Sequence, residues 1–267
     1  MWVNRVMAVA ATVAVAVVTA PVASASAQSF CGELRGDWDG QYCRTLVTNE
    51  RKATRDIKVA IPGDLIDNPT TSSAIRPYLR NLFENWRAKN AKMVQDSWGQ
   101  ENYQVFQHGP ALSVVFHEDY HAEGHWFNNA YRTFTFNMAA GSQMQLADIT
   151  KPGVDPLVAI PPLAAPFISE ALDRAPRAGQ ANPGPHAQGM YPFTLDHWTP
   201  DKVFSGQYKA WAITPDELIL YMPDRPVPHD TPIQYTQWQW SMDGGTVQAR
   251  IPLAVLSPIL RPGFGGA

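Results

Sequence analysis

The stretch ALSVVFHEDYHA, residues 111 to 122, decides how this chain is read, because it carries two signals that cannot both hold. His117-Glu118-Asp119-Tyr120-His121 fits H-E-x-x-H, the pattern of a helix that holds zinc with two histidines one turn apart and keeps the glutamate as base. Gly124 even falls where a longer protease pattern wants its glycine. Yet the residues before the pattern, Leu112-Ser113-Val114-Val115-Phe116, have little helix preference, and Gly124 and Asn128-Asn129 follow it before the aromatic run YRTFTFN at 131 to 137. The segment therefore predicts strand, polar turn, strand. Side chains alternate on an extended segment, so His117, Asp119 and His121 share one face and Glu118 lies on the other. His125 falls in the loop, and the longer pattern fails at Phe127. A zinc-dependent hydrolase built on His117-Glu118-x-x-His121 thus lacks its helix. What remains for a metal is His117 and His121 on one strand face with His125 from the loop, beside the plain reading of solvated polar residues at a hairpin end.

Working outward, NYQVFQH (102 to 108) supplies a strand before this hairpin, and RTLVTN (44 to 49) and RDIKVAIP (55 to 62) two more, with Ile57, Val59 and Ile61 on one face. Between them, Ile75, Leu79, Leu82, Phe83, Trp86, Met93 and Val94 recur at helical spacing, which predicts a helix over about 73 to 98 that starts near Pro77. A second helix is expected from Pro162 to Arg174 with Leu163, Phe167 and Leu172 inward, followed by a Pro/Gly-rich surface loop. Strands at 208 to 214 and 217 to 222 meet at a Pro215-Asp216 turn. YTQWQWSM and TVQARIP flank Asp243-Gly244-Gly245 as a hairpin, and PLAVLSPIL closes the fold as a short helix. Strands and helices fall in separate groups joined by short connections. The class is α+β, a mainly antiparallel sheet packed against two main helices.

Arg5 followed by the uncharged run Val6 to Ala20, then Pro21 and Ala25-Ser26-Ala27, reads as a secretory signal peptide over residues 1 to 27. The remaining 28 to 267 are read as one secreted domain, with 28 to 110 its N-terminal part and 111 to 267 the rest. No other apolar run reaches membrane length, so no transmembrane segment is expected after cleavage. The chain has 21 basic and 24 acidic residues, a formal charge of −3, and no basic stripe, so nucleic acid is not an expected partner. Cys31 and Cys43 are the only cysteines, and export permits a disulfide. The alternative, two thiols on a metal, lacks a C-x-x-C or a nearby histidine.

Other chemistry is thinly represented. No G-x-S-x-G elbow, phosphate loop or dinucleotide fingerprint occurs, so no catalytic residue and no cofactor is assigned. A weak short-chain esterase stays as an alternative resting on loose Ser, His and Asp candidates, such as His197 beside Asp196. Asp37 and Asp39 read as turn residues. Trp238 and Trp240 fall on one face of an expected strand: exposed, they make a platform for sugars or an apolar partner, and buried, they are core.

The run CGELRGDWDGQYC, Cys31 to Cys43, resembles the opening disulfide loop of the mycobacterial secreted immunogenic proteins, the antigens of the MPT/MPB type. The similarity continues in the strand ending in Ile61-Pro62, in DPLVAIPPLAAPFISEALDR (155 to 174) and in YKAWAITPDELILYMPD (208 to 224). Those antigens share an RsiV-like domain of unknown function, also seen in an anti-sigma factor that recognises lysozyme. Gly124-His125 match a Gly-His pair in that family's hairpin loop. Here Ala122-Glu123 precede and Trp126 follows, where the family has a second glycine and a proline. Gly124, His125 and Trp126 are therefore the candidate loop site. The resemblance implies an exported, immunogenic α+β protein, β-grasp-like in its C-terminal part, without established catalytic machinery. The expectation is a non-catalytic protein, secreted or retained on the cell envelope, that binds a protein or an envelope glycan.

Overall fold

The computed structural model describes residues 22–88, 93–121, 127–174, 195–222 and 247–266. HEDYH is not helical. It ends strand β5 (Ala111–His121), which runs antiparallel to β4 (Ser97–His108) on one side and β6 (Phe127–Asn137) on the other. These long strands are the centre of a seven-stranded sheet. The other members are β1 (Asp37–Trp38), β2 (Tyr42–Thr48), β3 (Thr54–Ala60) and β7 (Ser142–Gln143), ordered β1-β2-β3-β4-β5-β6-β7. Among the described residues its one parallel pair is β3 with β4, the two strands separated in sequence by helices α2 (Gly63–Ile66) and α3 (Ser72–Ala88). A parallel neighbour needs such a crossover, because a tight turn can only reverse the chain. The class is α+β, as the sequence predicts.

One face of this sheet is covered by helices. Ile75, Leu79, Leu82, Phe83 and Trp86 form the buried stripe of α3, and they join Ile57, Val59, Val114, Phe116 and Phe136 in one core. Gly99 lets the helix come close, since a Cβ there would stand 2.8 Å from the Trp86 ring. Helix α1 (Val22–Glu33) adds Ala27, Phe30 and Cys31 to the same core, and the Cys31–Cys43 disulfide ties it to β2 with a Cα–Cα distance of 5.3 Å. Residues 22–27, which fall within the expected signal peptide, are thus the first half of a helix, with Ala27 buried.

The opposite face carries a second sheet over part of its area. This sheet has order β10-β9-β8, from β8 (Trp211–Ile213), β9 (Glu217–Met222) and β10 (Val247–Pro252). Alternation splits it cleanly. Ala212, Ile219 and Tyr221 pack on Val115, Phe106 and Tyr131 of the large sheet, while Leu218, Leu220, Met222, Val247, Ala249 and Ile251 pack on helix α5 (Pro156–Arg174). The layers run helix, sheet, sheet, helix. Helices α4 (Leu146–Ile149) and α6 (Leu253–Leu256) close the rim of the outer core.

Where the sheets meet, side-chain hydroxyls replace a neighbouring strand. The edge amides of β8 donate to the large sheet, Trp211 N–H to Thr133 Oγ1 at 2.9 Å and Ile213 N–H to Ser113 Oγ at 3.0 Å. Ser113 and Thr135 share a further 2.9 Å bond. Apart from half-buried Thr133, these residues are buried, where an unpaired amide is costly.

Several expected boundaries move, each for a local reason. Helix α3 begins at Ser72 rather than near Pro77, because the amides of Ala74 and Ile75 already bond to Thr71 O and the proline deletes only one later bond. It ends at Ala88, not 98: Met93 and Val94 lie beyond it, and Ser97 and Trp98 open β4, which starts five residues before the expected 102. Helix α5 begins at Pro156 rather than Pro162, with Asp155 accepting the Leu157 amide at 2.9 Å as its N-cap. Its inward stripe is Ile160, Ala164, Ile168, Ala171 and Leu172, while Leu163 and Phe167 are only partly buried. Residues 203–208 form a tight 3₁₀ segment instead of opening a strand, with positive φ at Gly206, Gln207 and Tyr208. The expected surface loop after Arg174 and the first arm of the WQW hairpin lie outside the described residues.

Candidate functional site

The large sheet is wider than the small one, so the strands nearest β1 to β4 keep an open outer face. Register places its residues in rows. Leu46 pairs with Asp56, Asp56 with Trp98 and Trp98 with His121. The next row is Arg44, Lys58, Gln100 and Asp119. Trp98 is 39% exposed, unusual for so large an apolar side chain, and Leu46 is 65% exposed. Asp56, Lys58, Ser97, Trp98, Gly99 and Gln100 line an open hollow of about 440 Å³.

Polar groups around the indole hold one another in place. Asp56 bridges Lys58 at 3.3 Å and Arg44 at 3.4 Å, and Arg44 also reaches Asp39 at 3.7 Å. Asp39 itself caps the turn before β2, accepting the Tyr42 and Gln41 amides at 2.7 and 2.9 Å. Those bonds hold its carboxyl below the usual range. Tyr42 Oη donates to Asn102 at 2.7 Å and accepts from Gln100 Nε2 at 3.4 Å. Such exposed ion pairs add little stability, about 1 kcal/mol at most each. Their consequence is a flat surface with fixed donors and acceptors beside one aromatic ring.

At the border with the covered half, Tyr221, Tyr131 and His117 form a continuous stack, with ring centroids 4.8 and 4.5 Å apart. The His117 imidazole is thus laid on Tyr131. Glu118 points the other way, into the helix-covered core, where Arg132 Nε is 3.3 Å and the Tyr78 hydroxyl 3.2 Å from its Oε1. The strand therefore separates the glutamate of the H-E-x-x-H pattern from the histidine it would serve. Among the described residues, no group of three or more His, Cys, Asp or Glu side chains is placed to hold a metal ion. His121 is described through its backbone alone. Gly124, His125, Trp126, Trp238 and Trp240 lie outside the described residues, so neither the loop site nor the WQW platform is placed.

The inward face of the same two strands holds a second acid. Glu101 is the direct cross-strand partner of Glu118 and has no exposed surface. Among the described residues, neither of its carboxylate oxygens has a hydrogen-bond partner. Burial, and then the Glu118 charge, push its carboxyl well above the ordinary value, and burial followed by the same charge raises the Tyr78 hydroxyl. Both side chains are buried, Glu101 completely and Glu118 all but 5%. The buried serines also have structural partners: Ser97 binds Arg55 Nε at 2.9 Å, Ser113 binds β8, and Ser205 accepts the Gln207 amide at 3.0 Å.

Trp98 and Glu101 both fall outside the expected strand, because helical spacing of apolar residues runs on to 98 and the β-rich run starts only at 102. The alternation Trp98, Gln100, Asn102 against Gly99, Glu101, Tyr103 is the signal that marks a strand there.

Comparisons with known proteins add little. A family model described as MVL, mannan-binding protein, matches residues 20–57, well under half of the chain, and shows no family membership. No curated protein matches the chain. Among solved structures, a DUF3298 family protein from Pseudomonas aeruginosa PAO1 is similar at 15% identity and TM-score 0.48, over 85% of this chain and 94% of that chain. A member of the DUF3298 family from Bacteroides fragilis is similar at 9% identity and TM-score 0.46, over 83% of this chain and 92% of that chain. DUF3298 denotes a domain of unknown function. At such scores these neighbours bear on neither partner nor activity.

Proposed function

We propose that this protein is an exported, non-catalytic binding protein of the cell envelope that takes a glycan on the open face of its large sheet. The observation that carries the reading is Trp98, exposed at the rim of a hollow and flanked in register by Asp56, Lys58, Gln100 and Asp119. A sugar ring offers an apolar face to an indole and a rim of hydroxyls to carboxylate, amide and ammonium groups, and this surface has both parts. The signal-peptide pattern and the Cys31–Cys43 disulfide fit an oxidising compartment outside the cytoplasm. The resemblance of Cys31 to Cys43 and of the later segments to the MPT/MPB antigens, with their RsiV-like domain, supports reading it as an immunogenic envelope or secreted protein.

Titration of the protein with soluble peptidoglycan fragments and with neutral envelope polysaccharides, followed by tryptophan fluorescence and calorimetry, tests the proposal. Saturable binding that Trp98→Ala weakens at least tenfold supports it. Binding of a lysozyme-type protein, unaffected by any of these sugars, replaces the glycan with a protein partner. Absence of any glycan binding removes the proposal.

A further inference from the structure

Two glutamates standing side by side in a dry sheet interior pose an electrostatic problem. Glu101 on β4 and Glu118 on β5 are directly opposed, and side chains in that relation stand with β-carbons about 4.5–5.5 Å apart. Glu101 is fully buried and Glu118 is 5% exposed. Among the described residues, several elements bring polar or charged groups toward the pair. Strand β6 brings Arg132, whose Nε lies 3.3 Å from Glu118. Helix α3 brings Tyr78, whose hydroxyl donates to Glu118 at 3.2 Å. Strand β4 itself adds Tyr103, with Asp64 of α2 beyond it. Strand β3 sets apolar Val59 beside Glu101, and its buried Arg55 is engaged further along by Ser97 at 2.9 Å and by the Trp86 carbonyl at 2.6 Å. The guanidinium and the tyrosine hydroxyl that reach the pair both converge on Glu118. Glu101 has none.

We propose that the Glu101–Glu118 pair holds one structural proton at neutral pH, resident on Glu101, and that this proton is a component of the folded sheet. A neutral Glu101 carboxyl brings no second charge beside Glu118, whose own charge is balanced by Arg132. Protonation thereby removes the cost of a carboxylate buried with no donor among the described residues. Burial and the neighbouring carboxylate both act to keep the proton bound, the arrangement seen where two acids share one site.

The consequence for folding has a definite sign. The unfolded chain releases this proton near the ordinary glutamate value of about 4.3, while the folded chain keeps it to higher pH. Stability from the pair is therefore complete below that value and declines as pH rises through the window up to the folded pKa. Within the window the folding constant falls by up to about tenfold per pH unit, the limit for a single proton.

Infrared difference spectroscopy and urea unfolding between pH 5 and 8 test this together. A protonated-carboxyl carbonyl band is expected in the folded wild-type protein at pH 7, and Glu101→Gln should abolish it. Glu101→Gln mimics the protonated acid, so the ratio of its folding constant to that of wild type should grow by at least about tenfold from pH 5 to 8. Glu118→Gln removes the like charge beside Arg132 and should move the band's titration to lower pH. If Glu101→Gln fails to fold, the wild-type band and its pH dependence still decide. No protonated carboxyl at pH 7 in the wild type, or a stability ratio that does not change with pH, overturns the proposal.

Discussion

A Ser113→Ala substitution takes one oxygen atom out of the seam between the two sheets. The hydroxyl accepts the Ile213 amide at 3.0 Å and bonds Thr135 Oγ1 at 2.9 Å, and none of the three residues is more than 3% exposed. Leaving the Ile213 N–H buried and unpaired costs about 1–3 kcal/mol. The Thr135 hydroxyl can rotate toward another acceptor, so its loss adds at most about 1 kcal/mol. A total of about 1–4 kcal/mol lowers Tm by about 2–16 °C in a domain of this size. Urea unfolding followed by tryptophan fluorescence, with thermal melts by circular dichroism, measures both, and the urea m-value should stay constant because no additional surface is exposed. Thr133→Val removes the acceptor of the Trp211 amide and should cost a similar amount. A loss below about 0.5 kcal/mol for Ser113→Ala would mean that water or backbone shift replaces the hydroxyl, and that apolar packing alone joins the sheets.

Further outcomes follow from individual contacts. Reduction of Cys31–Cys43, or a Cys43→Ser change, should destabilise by about 3 kcal/mol, seen as a lower urea midpoint. Gly99→Ala sets a methyl against the Trp86 ring and should cost about 1–3 kcal/mol, part of which a Trp86→Phe partner change recovers in a double-mutant cycle. Trp98→Ala should leave Tm within a degree or two, since the side chain is exposed, so that any loss of glycan binding reports the surface alone. On alkaline titration, the buried Tyr208, pushed up to about 12 by burial, should ionise late. Its raised value stabilises the fold below the ordinary pH of about 10, and that contribution is lost as pH rises from 10 toward 12, which absorbance and stability should show together.

Much of the architecture is legible in alternation and periodicity. Val114 and Phe116 inward against Val115 outward, and the α3 stripe from Ile75 to Trp86, follow directly from the residue pattern. The parallel pairing of β3 with β4 is less visible, because strand-helix-strand order also suits an antiparallel sheet with a helical insertion. Prolines mislead as helix boundaries here: Pro77 lies in the second turn of α3, and the N-cap signal of α5 is Asp155-Pro156 rather than Pro161-Pro162. Of the candidate site, the alternation rule separated Glu118 from His117, as the structure does. It could not reveal what faces Glu118. That depends on the register of β4 against β5, which nothing in either strand's own pattern fixes, since a polar residue on an inward position reads as noise until its neighbour is known.

The seam and the rims together govern what the sheets can recruit. The large sheet ends in two-residue strands, Asp37–Trp38 and Ser142–Gln143, and the outer amides of β8 are occupied by Thr133 and Ser113. Long extended segments such as Ala111–His121 are templates for stacking copies of a chain, and here that strand is paired along its whole length on both sides, by β4 and by β6. That strand can template another copy only where β4 or β6 has not yet paired with it, so the closing of both ladders ends the interval in which a folding chain is open to stacking.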